Sequence, residues 1–263
     1  EAGVVTLQCL DDTLSAFSAA ARYPTLRAKV LADAESRLLP VPTTPSSPVV
    51  TLNEAEGKAL LAGHGIPVPT HSTGTAEEVI AASEGLGYPL AVKLLNADLA
   101  HKNHAGAVHL NIKDASGLEQ AISDIQTSVT RYDASLDTGH FLIERMVTVP
   151  RAEFIAGVSH KPGIGYALVI GRGGTAVEEL KDFATLLLPV NEAQIDDALR
   201  GLNLTRKLCL QENEIAALTR TITKIARFAQ DTSEKLAELD VNPILLDAGG
   251  GVTAVDAYLR ISD

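Results

Sequence analysis

The chain has 263 residues, 46% of them hydrophobic, enough to build one large domain or two compact lobes around an apolar core. Its formal net charge of -11 repels polyanions and argues against nucleic acid as a partner, yet a polyphosphate can still be held by a few lysines and backbone amides in a cleft, because salt screens distant charge beyond roughly 8 to 10 Å. No run approaches the roughly 18 to 20 apolar residues that span a bilayer, Glu1 does not open a basic segment leading into an apolar one, and two widely separated cysteines, Cys9 and Cys209, suit a reducing, cytosolic compartment better than a disulfide framework.

In chain order, Val4, Val5 and Leu7 read as a short strand, followed by a turn at Asp11 and Asp12 and helical spacing through Leu14, Phe17, Ala20 and Ala21. This is too little to close a core. Residues 40–48 hold four prolines among hydroxyl residues, the composition of an extended tether and a natural domain boundary. The expected organisation is therefore a small unit over 1–38, a linker over 39–50 and a main unit over 51–263.

In the main unit, Thr51 is the expected N-cap of a helix through Glu54, Leu60 and Leu61. Thr75 and Glu78 form a capping box before Val79 and Ile80, and Gly85 and Gly87 stop that second helix. An apolar strand over 90–95, a loop rich in His and Lys, and an alternating strand over 107–112, with Val108, Leu110 and Ile112 on one face, form a hairpin-like pair. Leu118 to Val129 continue as a helix, and strands follow at 141–147, 153–158 and 166–170. A helix after Asn191 and a longer one around Ile215, Leu218, Ile222 and Ile225 precede strands at 236–246 and 252–257. Irregular alternation with hairpin-like pairs predicts antiparallel-rich α+β (α/β) lobes rather than a doubly wound parallel sheet.

Four constellations carry chemistry. Lys93 interrupts the apolar strand Leu90–Leu95, so it either faces outward or is buried opposite an anion that offsets its desolvation. Next, His101, Lys102, Asn103, His104 and Gly106 form a loop between strands that could lay amides and a lysine over phosphates and present an imidazole as nucleophile. Metal ligation by its two histidines lacks a suitably spaced third ligand. Third, Glu238, Asp240 and Asn242 share a strand face, with Asp256 brought alongside by a turn through Gly249 to Gly251. That is either a solvated hairpin face or an oxygen-rich site for Mg²⁺. Last, Glu144 and Glu153 flank a strand end where backbone groups suit adenine and a carboxylate can accept ribose hydroxyls, although glutamates on strands are commonly just solvated.

Taken together, Val92-Lys93, His101-Lys102, Gly106, Gly173-Gly174 with Glu178, Leu180 to Asp182, Glu238 to Pro243 and Val255 to Ala257 occur in an order that resembles the ATP-grasp domain of NDP-forming acyl-CoA synthetases. That family includes ADP-forming acetate–CoA ligases and is related to the succinyl-CoA synthetase β subunit. The resemblance runs from Leu52 to the end and departs from the family pattern at Asn103, His104 and Ala107. The segment before Pro40 resembles the end of the family's CoA-ligase domain.

The resemblance implies a two-lobed ATP-grasp fold preceded by a CoA-ligase remnant, with ATP and Mg²⁺ as cofactors and a cytoplasmic acid–thiol ligase activity: acid, CoA and ATP giving acyl-CoA, ADP and phosphate through an acyl phosphate and a phosphohistidine. It assigns Lys93 and Lys102 to the ATP phosphates, Glu144 and the backbone of Arg145, Met146 and Val147 to the adenine, and Glu153 to the ribose. Asn242 and Asp256 are the implied Mg²⁺ ligands, with Asp240 either an acid that supports them from behind or one that bridges to the ion. His101 is the implied phosphoryl carrier, and Glu178 is implied to orient the incoming phosphohistidine loop or the acyl phosphate. Coenzyme A and the carboxylic acid would be met through upstream domains; neither nucleic acid nor membrane is implied, and a homo-oligomer is left open. Two other readings stay open beside it, a non-catalytic nucleotide-sensing module of a larger protein such as an acetyltransferase and an ATP-grasp carboxylate–amine ligase.

Overall fold

A computed structural model describes residues 9–32, 48–99, 102, 104–147, 149–161, 163–174 and 182–262. The chain divides into two compact units, residues 1–38 and 39–263. In the first, α1 (Leu10–Ala32) starts with Asp11 and Asp12 in its first turn, where carboxylates complement the helix dipole. The expected strand at Val4 to Leu7 lies outside the described residues.

The second unit contains two antiparallel sheets. The larger is ordered β1 (Val49–Thr51), β11 (Ala257–Ser262), β9 (Leu236–Asp247), β6 (Pro150–Lys161), β7 (Gly165–Arg172) and β8 (Phe183–Leu187), with β10 (Val252–Ala254) paired to β9. The smaller is ordered β2 (His71–Gly74), β5 (Phe141–Arg145), β3 (Leu90–Leu94) and β4 (Val108–Ile112). Period-2 alternation divides the large sheet into two faces. Phe154, Ala156, Val158, Leu168, Ile170, Leu239, Val241 and Leu259 are buried in one core, together with Ile195 and Leu199 of α5 (Glu192–Gly201) and Leu218, Ile222 and Ile225 of α7 (Glu212–Asp231). Between those helices lies the short α6 (Asn203–Lys207). The small sheet closes a separate core with α3 (Ala76–Leu86) and α4 (Ala115–Tyr132), built on Val92, Leu94, Leu118, Ile125 and Ile143.

Three local expectations change. Thr51 pairs with Arg260 at the end of β1, so the cap of α2 (Glu54–Gly63) passes to Asn53, whose side chain accepts from Glu56 N in a capping box. Strand β4 does not keep Leu110 and Ile112 on one buried face: Asn111 takes φ 61, the left-handed region, and Leu110 is exposed. Strands β2 and β8 carried no sequence signal. Both are short, and β8 lies at the edge of its sheet with Phe183 and Leu187 exposed. The capping box at Thr75 and Glu78 forms as expected.

Ile222 has no exposed surface, whereas Leu60 is 39% exposed. Replacing Ile222 with Ala should cost about 2–5 kcal/mol in urea unfolding, and Leu60→Ala about 1 kcal/mol or less.

Candidate functional site

The face of the large sheet opposite its core lines a cleft of about 700 Å³. Strand register decides which side chains meet there. Gly157 stands opposite both Asp240 and Val169, Asp240 opposite Tyr258, and Ser159 opposite Glu238; all six line the cleft. Asn242 and Asp256 join them, and the Asn242 N–H donates to Asp256 O at 3.2 Å. Asn53 and Glu54 from the start of α2, Asn96, Lys102 and His104 from the β3–β4 connection and Val108 at the start of β4 also line it. A wall with four acidic or amide side chains thus shares one cavity with a lysine.

The acidic wall is electrostatically uncomfortable. Burial, then Asp256 and Glu238, push the Asp240 carboxyl above its ordinary range; burial, then Glu54, push Asp256 up against the opposing pull of Lys93, Lys102 and Lys58. A cation would relieve both. Among the described residues no three His, Cys, Asp or Glu side chains converge to hold a metal. Two carboxylates and an amide match the sparse protein contribution to Mg²⁺ sites, whose remaining positions go to water and substrate phosphate. The donor chemistry therefore fits Mg²⁺ and not a closed structural metal cage.

Behind this cleft lies a buried ionic cluster. The Lys93 ammonium is 2.6 Å from Glu54 Oε1, 2.8 Å from Glu144 Oε1 and 3.1 Å from Val255 O. The Lys58 ammonium is 2.8 Å from Glu54 Oε1 and also pairs with Glu144 Oε2, while Lys102 pairs with Glu54 Oε2. Side-chain exposure is 0% for Lys58 and Glu54, 1% for Glu144, 5% for Lys93 and 19% for Lys102. Burial opposes ionisation of Glu54, but Lys93, Lys58 and Lys102 outweigh it and hold the carboxyl far below its ordinary range. Burial likewise opposes the Lys93 ammonium, and Glu54, Glu144 and Asp256 outweigh it and raise its pKa.

The residues singled out from sequence separate into groups. Lys102, Asp240, Asn242 and Asp256 line the cleft together. Lys93 and Glu144, expected at phosphate and adenine, instead direct their charged groups into the buried cluster. The reason is that β3 and β5 are neighbours in the small sheet and both face the start of α2 with a charged side chain. The N–H groups of Arg145 and Met146 are committed to Thr70 O and Pro89 O at 3.0 and 3.1 Å; Val147 follows them in the link between the sheets. Glu153 backs the glycine pair: Gly174 has φ +88, a Cβ there would lie 2.7 Å from Glu153 Oε2, and one on Gly173 would lie 2.8 Å from Phe154 O. His101 and Glu178 lie outside the described residues.

Glu54 and Lys58 were missed. Their signal was available, since they fall four apart on the same helical face as buried Leu61. Lys58→Met leaves two buried carboxylates with two ammoniums and should cost about 3–5 kcal/mol in urea unfolding at pH 7. A depressed carboxyl stabilises the fold above its ordinary value of 4.5 and loses that contribution as pH falls through the lower folded value. The Lys58→Met deficit should therefore shrink in strong acid.

Residues 45–261 match the family described as the ATP-grasp domain. The chain is 30% identical over 212 residues to the β subunit of ADP-forming acetate–CoA ligase II from Pyrococcus furiosus, covering 78% of this chain and 89% of that protein. It is 31% identical over 255 residues to a trans-feruloyl-CoA synthase from an unknown prokaryotic organism, covering 95% of this chain and 36% of that protein. The crystal structure of PH1788 from Pyrococcus horikoshii superposes with a TM-score of 0.75 at 28% identity, covering 81% of this chain and 92% of that one. The chain thus spans most of one relative's length and about a third of another's. Two facing antiparallel sheets, a lysine and an acidic wall in the cleft between them, and this matched span agree: the chain belongs to the ATP-grasp family, alongside the β subunits of ADP-forming acetate–CoA ligases.

Proposed function

We propose that this chain binds MgATP in the cleft between its two sheets and performs the phosphoryl-transfer half of an ADP-forming acyl-CoA synthetase. In that reaction acid, CoA and ATP give acyl-CoA, ADP and phosphate through an acyl phosphate and a phosphohistidine. The observation that carries the reading is the convergence of Lys102 with Asp240, Asn242 and Asp256 on one cavity. A lysine and an oxygen-donor set at one site are what a magnesium-bound polyphosphate requires.

Lys102 would take a phosphate oxygen, with Lys93 adding positive potential from behind the wall. Asp256 and Asn242 would hold Mg²⁺, with Asp240 bridging to it. Bound there, Mg²⁺ neutralises phosphate charge that develops during transfer. The link after β5, at Arg145, Met146 and Val147, would meet the adenine through its carbonyls and Val147, and Glu153 would meet the ribose. His101 would carry the phosphoryl group, and Glu178 would steer the incoming loop. Positioning and electrostatics supply most of the rate in such transfers.

The coenzyme A and carboxylic acid partners enter through a CoA-ligase region to which residues 1–38 would belong. The trans-feruloyl-CoA synthase match supports this, because 95% coverage must reach into that unit. So does α1, where Leu10, Leu14, Phe17, Leu26 and Leu31 are exposed and a larger domain would cover them. Cys9 and Cys209 are free thiols, and no described helix is long and apolar enough to cross a membrane, in keeping with cytoplasmic work.

Asp256→Asn should lower MgATP affinity at least about tenfold by titration calorimetry, roughly 1.4 kcal/mol or more. Its thermal midpoint should hold or rise, because the substitution removes a charge that burial and Glu54 disfavour. Unchanged MgATP affinity would put the cation elsewhere. Incubating the chain with γ-labelled ATP should leave acid-labile phosphate that His101→Ala abolishes.

A further inference from the structure

Lys102 sits in a 13-residue connection between the end of β3 and the start of β4. A lysine side chain there carries about 2 kcal/mol of rotamer entropy that ligand binding must otherwise overcome. It is not left to wander. Its ammonium pairs with Glu54 Oε2, and its carbonyl accepts from Ala107 N at 2.9 Å. Glu54 opens α2, which packs on β11 of the large sheet, and its other oxygen, Oε1, receives Lys58 and Lys93. One buried carboxylate therefore connects the β3–β4 connection, the small sheet and the helix that rests on the large sheet. Among the described residues, Glu144 pairs with Lys58 and Lys93 and not with Lys102. With Glu54 neutral, Lys102 would lose its carboxylate partner and could turn out to solvent.

We propose that Glu54 is a positioning residue for the nucleotide: it holds the Lys102 ammonium on the cleft wall before the phosphates arrive. The proposal rests on the MgATP reading above and adds to it a residue that acts through Lys102. Preorganising a flexible cation raises affinity without a new contact. The opposing arrangement, with Glu54 as an internal anion that phosphate must displace, predicts the reverse sign.

The test is titration calorimetry of the full chain with MgATP on wild type, Glu54→Gln, Lys102→Met and the double variant. Glu54→Gln should weaken binding at least about tenfold, and Lys102→Met by a similar factor. The double variant should bind within about threefold of Lys102→Met alone, since two residues acting through one contact are not additive. Fully multiplicative losses, as for a general structural role, would overturn the proposal. So would Glu54→Gln binding as well as or better than wild type. Should Glu54→Gln alone not fold, Glu54→Gln with Lys58→Met restores the charge balance around Glu144 and should fold yet bind MgATP equally weakly; wild-type affinity in that variant would also overturn it. A wild-type chain that binds no MgATP overturns the nucleotide reading, and the role of Glu54 with it.

Discussion

Three lysines and two glutamates, almost wholly removed from water, are the constraint on which this molecule depends. Each charge alone would cost several kcal/mol to bury, and only the complete set is tolerable. Lys58 and Lys93 are each shared between Glu54 and Glu144, and Lys102 closes the set from the loop side. Because the five come from α2, β3, β5 and the β3–β4 connection, their pairing fixes how those elements meet. The Lys93 bond to Val255 O carries the same cluster to the segment between β10 and β11.

The cleft inherits its character from this arrangement. Positive charge is concentrated behind and beside Lys102, while Glu238, Asp240 and Asp256 occupy the face of the large sheet. The raised pKa values of Asp240 and Asp256 show that the acidic face is not neutralised as fully as the buried cluster is. Glu54 and Glu144 pair directly with ammoniums inside the protein, whereas at Asp256 burial and Glu54 outweigh the pull of Lys93, Lys102 and Lys58. The buried ionic cluster and the acidic face are thus two adjoining sets of charges. The same carboxylate, Glu54, belongs to both: it accepts from Lys58 inside and from Lys102 at the wall.

The glycine pair plays a steric part beside this electrostatic one. A side chain on Gly173 would strike the backbone of Phe154, and one on Gly174 would strike the Glu153 carboxylate. The left-handed φ of Gly174 and the close approach of Gly173 to the β6 backbone therefore call for residues without a Cβ. Packing behind the sheet serves the same end, since Phe154, Val158, Leu239 and Val241 bury one face and leave the alternate residues to the cleft.

Much of this was legible from residue order. Alternation in β9 puts Glu238, Asp240 and Asn242 on one face, the turn through Gly249 to Gly251 returns the chain, and the backbone pairing of Asn242 with Asp256 follows. The long helix α7 announced itself by its 3.6-residue period, and the α3 cap by Thr75 and Glu78. The edge strand β8 did not, because a short strand packed on one side has little apolar pattern to display. Local sequence by itself determined these periodic elements, the acidic face and the family. Only the tertiary structure decided that Lys93 and Glu144 turn away from the cleft and that Glu54 and Lys58 receive them. The physical reason is that a buried charge takes its meaning from partners 39 to 86 residues away in the chain, and no local pattern records which carboxylate an ammonium will find.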